Sequence, residues 1–212
     1  MKLLIRDLFP TLQVETTKGK INLPKDYEGK WFVLFSHPGD FTPVCTTEFV
    51  SFQKKAHAFE EFGTELIGLS VDSLESHEQW TKWIKENLHV QIEFPIIGDE
   101  DKKISETLGL IHPNAGDTDT VRAVIIVDHK SRVRATLEYP KEIGRNIDEI
   151  LRMVKTLQMA SKKKVFAPAN WPHNEIIGDK VLFKRSEPAD PIKDKEQGVC
   201  SLSEWFVYKN IE

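Results

Sequence analysis

The sequence predicts an α/β domain whose mixed central sheet is flanked by helices, followed by a C-terminal extension of different character. Three observations carry that reading. Short apolar runs alternate with amphipathic stretches in the order β, α, β, α as far as Gly109. A further apolar run, Val121 to Val127, is turned back by Asp128-His129-Lys130-Ser131 into an antiparallel partner. Beyond Lys162-Lys163-Lys164, prolines at 168, 172, 188 and 191 exclude long regular elements. A chain of 212 residues accommodates one buried core plus an appendage, so the boundaries expected are 1–160 for the main domain and 161–212 for a C-terminal arm.

Each element has its own grounds. The N-terminal stretch alternates around a Thr17-Lys18-Gly19-Lys20 turn. Trp31-Phe32-Val33-Leu34-Phe35 is a continuous apolar run, as a strand buried on both faces requires, and it ends at His37. The next helix carries Phe49, Phe52, Ala56 and Phe59 on one stripe, and Gly63 is placed to terminate it. Glu65 to Val71 is a second buried strand. Ser73 caps a helix bearing Trp80, Trp83 and Ile84, and Asp99 caps a shorter one ending at Gly109. Arg132 to Tyr139 forms the antiparallel return strand, and Asn146 caps a helix with Ile147, Ile150, Leu151, Val154 and Leu157 on one side. The tail holds Trp171, Leu182, Phe183, Trp205 and Phe206, too apolar for a solvated coil. It is expected to pack on its own or on a neighbouring subunit.

Charge and composition narrow the function classes. The net charge is −4, from 29 Lys and Arg against 33 Asp and Glu, with no long run of one sign, so neither a nucleic-acid nor an anionic-membrane partner is expected. Arg6 and Asp7 interrupt the first apolar stretch too soon for a signal-peptide core, and no segment is long enough to span a bilayer. The two cysteines, Cys45 and Cys200, form neither a disulfide framework nor a zinc site, which fits a reducing, cytoplasmic setting. The seven histidines show no metal-ligand spacing and no glycine-rich phosphate loop occurs, so no metal and no cofactor are expected.

Chemistry concentrates at Cys45. Thr42-Pro43-Val44-Cys45 has the grammar of a helix start, with Thr as N-cap and Pro at the first helical position, which puts Cys45 at the third. An acidic or amide side chain commonly fills that slot, where free N–H groups and the helix dipole favour an anion, so the environment is expected to lower the thiol pKa. A lone cysteine is more often a small buried hydrophobe. A strand end, a Pro-Gly loop and a helix N-terminus in succession favour the nucleophile instead.

The run Pro38-Gly39-Asp40-Phe41-Thr42-Pro43-Val44-Cys45-Thr46-Thr47-Glu48 resembles the active-site loop of the peroxiredoxins, with their pattern Pro-x-x-x-Thr/Ser-x-x-Cys. Val121-Arg122-Ala123 resembles the segment carrying the family's second site position. Ala169-Asn170-Trp171 through Gly178-Asp179-Lys180-Val181 resembles the extended C-terminal region of its one-cysteine branch, including archaeal-like members. The resemblance implies a thioredoxin-like fold and a thiol-dependent peroxidase. Hydrogen peroxide and organic hydroperoxides would be reduced to water and alcohols through a Cys45 sulfenic acid, in antioxidant defence and redox homeostasis. It makes Cys45 the attacking thiolate, Arg122 the group that holds the sulfur deprotonated and binds peroxide, Thr42 a second peroxide contact and Pro38 a shield against water. Thr42 and Pro38 also have plain roles as cap and turn. Glu48 and Arg145 match supporting positions that orient Arg122, although either reads equally as a solvated helix-end charge. His37 stands where the one-cysteine branch carries a histidine, although a lone loop histidine is more often surface.

Recycling is open at this level. Cys200 resolves the sulfenic acid as a disulfide, or is inert; Gly198-Val199-Cys200-Ser201-Leu202 departs from the Val-Cys-Pro of two-cysteine members, while Trp205-Phe206-Val207-Tyr208 resembles an archaeal Trp-Phe-Cys-Tyr run with valine for the last cysteine. The expected partners are peroxide, a thiol reductant such as a thioredoxin-like protein or small thiol, and further copies of the chain as a homodimer and a decameric ring. A cysteine hydrolase is the competing enzyme class, and a holdase or signalling protein the non-enzymatic one. A lipase-like serine site is not expected, since residues 22 to 35 hold no serine.

Overall fold

A computed structural model describes residues 3–112, 114, 119–185 and 191–211. It divides into two compact units, Met1–Leu151 and Arg152–Glu212.

The first unit is built on a seven-stranded mixed sheet. Its strands are β1 (Leu12–Thr16), β2 (Gly19–Leu23), β3 (Trp31–Ser36), β4 (Thr64–Ser70), β5 (Ile96–Gly98), β6 (Arg122–Val127) and β7 (Val133–Tyr139), in the order β2-β1-β5-β4-β3-β6-β7. β3 pairs in parallel with β4, and β4 with β5; the other pairs are antiparallel. The parallel pairs require crossovers, supplied by α1 (Pro43–Glu60) and α2 (Leu74–Leu88). The short α3 (Lys103–Leu108) follows β5, and α4 (Ile147–Lys163) carries the chain across the division between units.

The apolar run of β3 is fully buried because both of its faces are covered. Phe32 and Leu34 join the core cluster with Phe9, Val14, Ile67 and Ile125. Phe35, on the opposite face, stacks on Phe52 of α1 with centroids 3.9 Å apart and meets Phe49 and Phe94 edge-on. The phenylalanine stripe of α1 therefore does what its spacing predicts.

The helix ends follow the sequence in part. Ser73 accepts a hydrogen bond from Ser76 N, and Asn146 accepts one from Glu149 N. Gly63 and Gly109 adopt the left-handed conformation that closes α1 and α3. Asp99 is not itself the N-cap of α3; Lys102 occupies that position, and the Asp99 carboxylate reaches forward to accept from Ile104 N and Ser105 N. β5 has no counterpart in the sequence reading.

In the second unit, β8 (Val181–Leu182), β9 (Val199–Ser201) and β10 (Val207–Lys209) form a small sheet in the order β8-β10-β9, with α5 (Pro191–Glu196) preceding β9. Phe166 pairs with Leu182 through two backbone hydrogen bonds. No helix among the described residues is long and apolar enough to cross a membrane.

Candidate active site

Strand direction decides where the site falls. β3 delivers the chain to Ser36, and a six-residue loop leads into α1, so the N-terminus of α1 opens at the carboxyl end of a parallel strand. β6 runs antiparallel to β3, with Val124 opposite Phe35. Its first residue, Arg122, therefore lies beside the same end. The helix-start grammar and the strand register together bring Cys45 and Arg122 into contact.

Cys45 has no exposed surface. Arg122 Nη1 donates to its Sγ at 3.1 Å and to Glu48 Oε2 at 2.8 Å, while Nε and Nη2 both donate to the Lys141 carbonyl, at 3.0 and 2.9 Å. The planar guanidinium is thus fixed along both edges. Glu48 sits one turn beyond Cys45 on α1 and is buried. Its Oε1 accepts from Arg145 N and Nε, each at 2.8 Å, and its Oε2 from Arg145 Nη2 at 2.7 Å. Arg145 Nη1 donates to the carbonyls of Ser36 and Ala123, which ties the network to the ends of β3 and β6.

Burial alone would push the Glu48 carboxyl up. The hydrogen bonds and charge of Arg145, with the charge of Arg122, outweigh it and hold the group below its ordinary value. Two guanidiniums against one carboxylate leave this buried cluster with an excess positive charge. An anionic sulfur at Cys45 neutralises it, and a buried charge without a counter-charge is costly.

Thr42 occupies the N-cap position, yet its hydroxyl caps nothing. It donates to the Gly39 carbonyl at 2.9 Å, and the Thr42 carbonyl accepts from Thr46 N and Thr46 Oγ1. With its proton committed, Thr42 Oγ1 is left as an acceptor, three residues before Cys45 in the chain. Pro38 is buried in the loop.

His37 is fully buried rather than a surface group. Its Nε2 meets Asp40 Oδ1 at 2.9 Å, and its ring stacks on Trp80 and meets Phe49 edge-on. Burial lowers its pKa against the opposing pull of Asp40, so the ring is neutral. Asp40 and His77 were given no role by the sequence. They join His37 in a cluster whose potential ligand atoms lie within 4.8 Å of one another. The ring nitrogens of His77 and Nε2 of His37 are engaged in hydrogen bonds there. Asp40 stood inside the quoted loop, but His77 lies on another element, where ligand spacing along the chain could not find it.

Cys200 is exposed on β9, opposite Tyr208 of β10. Both cysteines are free thiols. The group bonded to Cys45 is a guanidinium rather than an imidazole, an arrangement that differs from the thiol and histidine pair of a cysteine hydrolase.

Comparisons with known proteins agree with this geometry. A profile of the AhpC/TSA family matches residues 5–136. A peroxiredoxin of Methanocaldococcus jannaschii is 51% identical over 216 residues, covering 98% of this chain and 99% of its own. One of Thermotoga maritima is 54% identical over 213 residues, covering 98% and 97%. Among solved structures, a yeast mitochondrial 1-Cys peroxiredoxin superposes with a TM-score of 0.85 at 35% identity, covering 98% of this chain and 99% of that one. A mutant of the peroxiredoxin 6 of Arenicola marina gives 0.84 at 30%, covering 98% and 97%.

Proposed function

The chain belongs to the AhpC/TSA family, the peroxiredoxins, and is a thiol-dependent peroxidase; from that premise we propose which residues carry each step. Cys45 is the attacking thiolate. Its sulfur attacks the terminal oxygen of the peroxide, forming an S–O bond as the O–O bond breaks and the other oxygen is displaced. The departing alkoxide or hydroxide takes a proton to leave as alcohol or water, and Cys45 becomes a sulfenic acid. The single observation that carries this assignment is the 3.1 Å contact from Arg122 Nη1 to a sulfur buried in the first turn of a helix.

Arg122 supplies positive charge to the sulfur and to the peroxide oxygens, and the Lys141 carbonyl keeps its fork from rotating. Thr42 Oγ1 accepts a hydrogen bond from the peroxide hydroxyl, orienting the terminal oxygen toward sulfur. Pro38 closes the pocket to water. Glu48 and Arg145 position Arg122 and balance its charge; His37 borders the loop as a neutral ring.

A thiol reductant returns Cys45 to the reduced state. A thioredoxin-like protein or small thiol suits this chain, by analogy with the yeast relative, described as resolved via glutathione/thioredoxin systems. Cys200, on an edge strand, is the internal candidate for the resolving thiol. Residues 161–212 form an arm that packs on a neighbouring subunit, a reading supported by the exposure of Leu202 and Trp205 at 66% and 81%. The same exposed apolar side chains support self-association as a homodimer, which we read as the unit of a decameric ring, and two unpaired thiols suit a cytoplasmic setting. The decisive test is peroxide consumption by Cys45→Ser. Activity should vanish, and full activity in that variant would end the assignment.

A further inference from the structure

Arg122 touches the Cys45 sulfur, and its aim depends on what holds the other edge of its fork. Nε and Nη2 both donate to a single acceptor, the Lys141 carbonyl, at 3.0 and 2.9 Å. A carbonyl belongs to a peptide unit, so its position is set by whatever fixes that stretch of backbone.

That stretch is lightly built. Residues 140–144 follow β7 without helix or strand, and all but Lys141 are exposed. Their turn closes through a contact of 3.4 Å from Ile143 N to the Pro140 carbonyl, long for such a bond. The downstream end is anchored by Arg145, whose N and Nε reach Glu48. At the upstream end, Lys141 Nζ donates to Asp119 Oδ2 at 3.2 Å, the two side chains being 35% and 40% exposed.

Asp119 is well founded. Thr120, next to it, is fully buried and its hydroxyl donates to the His37 carbonyl at 2.6 Å. Val121 N donates to the Leu110 carbonyl, and the Val121 carbonyl accepts from Ser36 Oγ at 2.6 Å. Arg122 follows and is the register partner of Tyr139 across β6 and β7. Asp119 and Lys141 therefore extend the two strands beyond their last paired residues, and their contact closes the open end of that hairpin.

We propose that the Asp119–Lys141 ion pair positions Arg122: by fixing the peptide unit at 141 it sets the acceptor that aims the guanidinium at sulfur and peroxide. Asp119 and the Lys141 side chain are positioning groups, acting through the Lys141 carbonyl. This rests on Cys45 being the thiol that attacks peroxide. Salt screens a part-exposed pair, whereas the buried pairs of Glu48 are screened much less. Hydrogen peroxide is uncharged, so ionic strength does not steer its arrival. Salt sensitivity of the oxidation step then reports on the pair.

The test is stopped-flow oxidation of the full-length protein by hydrogen peroxide at low and high potassium chloride. Wild type is compared with Asp119→Asn, Lys141→Gln, both together, and the reversed pair Asp119→Lys with Lys141→Asp. At low salt each single variant should react about two- to fivefold more slowly, the scale of a part-exposed ion pair. The double variant should be no slower than the slower single one, since one interaction has been removed. High salt should bring wild type down toward the variants and leave theirs unchanged, and the reversed pair should regain part of the lost rate. A merely structural role lowers the urea midpoint while the folded fraction keeps the rate and salt profile of wild type. Single-variant rates within about 1.5-fold of wild type overturn the proposal, as does a salt dependence that persists unaltered in them. Should one single variant fail to fold, the other decides with the wild-type salt profile. The peroxidase assignment fails separately, through Cys45→Ser that still consumes peroxide.

Discussion

Replacing Arg122 by lysine keeps the charge and removes the fork, which isolates what geometry contributes. In the wild type, one guanidinium serves three acceptors at once: Cys45 Sγ at 3.1 Å, Glu48 Oε2 at 2.8 Å and, through two N–H groups, the Lys141 carbonyl. An ammonium places its donors around a single nitrogen and cannot span all three. The buried Glu48 carboxylate holds it most strongly, so the contacts to Lys141 and the sulfur are the ones lost. The sulfur contact is a charge-assisted hydrogen bond worth about 1.5–3 kcal/mol. At about 1.4 kcal/mol per decade, Arg122→Lys lowers the second-order rate constant for peroxide by roughly ten- to a hundredfold. Loss of the paired bonds to the Lys141 carbonyl, also donated by the charged guanidinium, removes at least about 1.5–3 kcal/mol of stability. Stopped-flow oxidation under single-turnover conditions measures the first quantity, and urea denaturation the second. A rate within about threefold of wild type, in a variant destabilised as expected, would refute the claim that the fork rather than the charge is needed.

Glu48→Gln strips the carboxylate from two buried guanidiniums and should cost about 3–5 kcal/mol of stability, read as a lower urea midpoint; an unchanged midpoint contradicts the network described here. Glu48 and Asp40 are both held below ordinary carboxyl values. Their contribution is complete above the unfolded value near about pH 4 and is lost as pH falls through the lower folded values, so the melting temperature should drop more steeply with acid in wild type than in Glu48→Gln. Gly98→Ala places a Cβ 3.0 Å from Leu74 Cδ2, 3.1 Å from Leu74 N and 3.2 Å from the Asp72 carbonyl. Since two of those atoms are backbone, the expected loss is about 1–3 kcal/mol, and equal stability shows that β5 and the start of α2 can separate. For Cys200, a non-reducing gel after one equivalent of peroxide compares wild type with Cys200→Ser: a covalent dimer in the first alone supports resolution, and one in both removes it.

The elements legible in the sequence are those whose signal is local. β3 and β6 are continuous apolar runs, and α1 announces itself through Thr42, Pro43 and the phenylalanine stripe. β5 is three residues long and is defined by its neighbours β4 and β1, so no window of its own marks it. The same division holds in the site. The position of Cys45 follows from helix grammar, whereas Glu48 and Arg145 read alike whether solvated or buried, and only the fold closes them on each other. Lys141 contributes a backbone carbonyl, which carries no residue signature. His37 reads from sequence as either a surface group or a member of the site, and its burial is not legible because its partner Asp40 is completed by a histidine on α2, 37 positions from Asp40.

The excess positive charge around Cys45 has a further consequence. A pocket that welcomes a thiolate also welcomes a sulfinate, the anion left when a second peroxide oxidises the sulfenic acid. Electrostatics therefore offers no discrimination between the working enzyme and its dead end. Survival through repeated turnover is a race, set by how quickly a thiol arrives after each oxidation relative to the next peroxide.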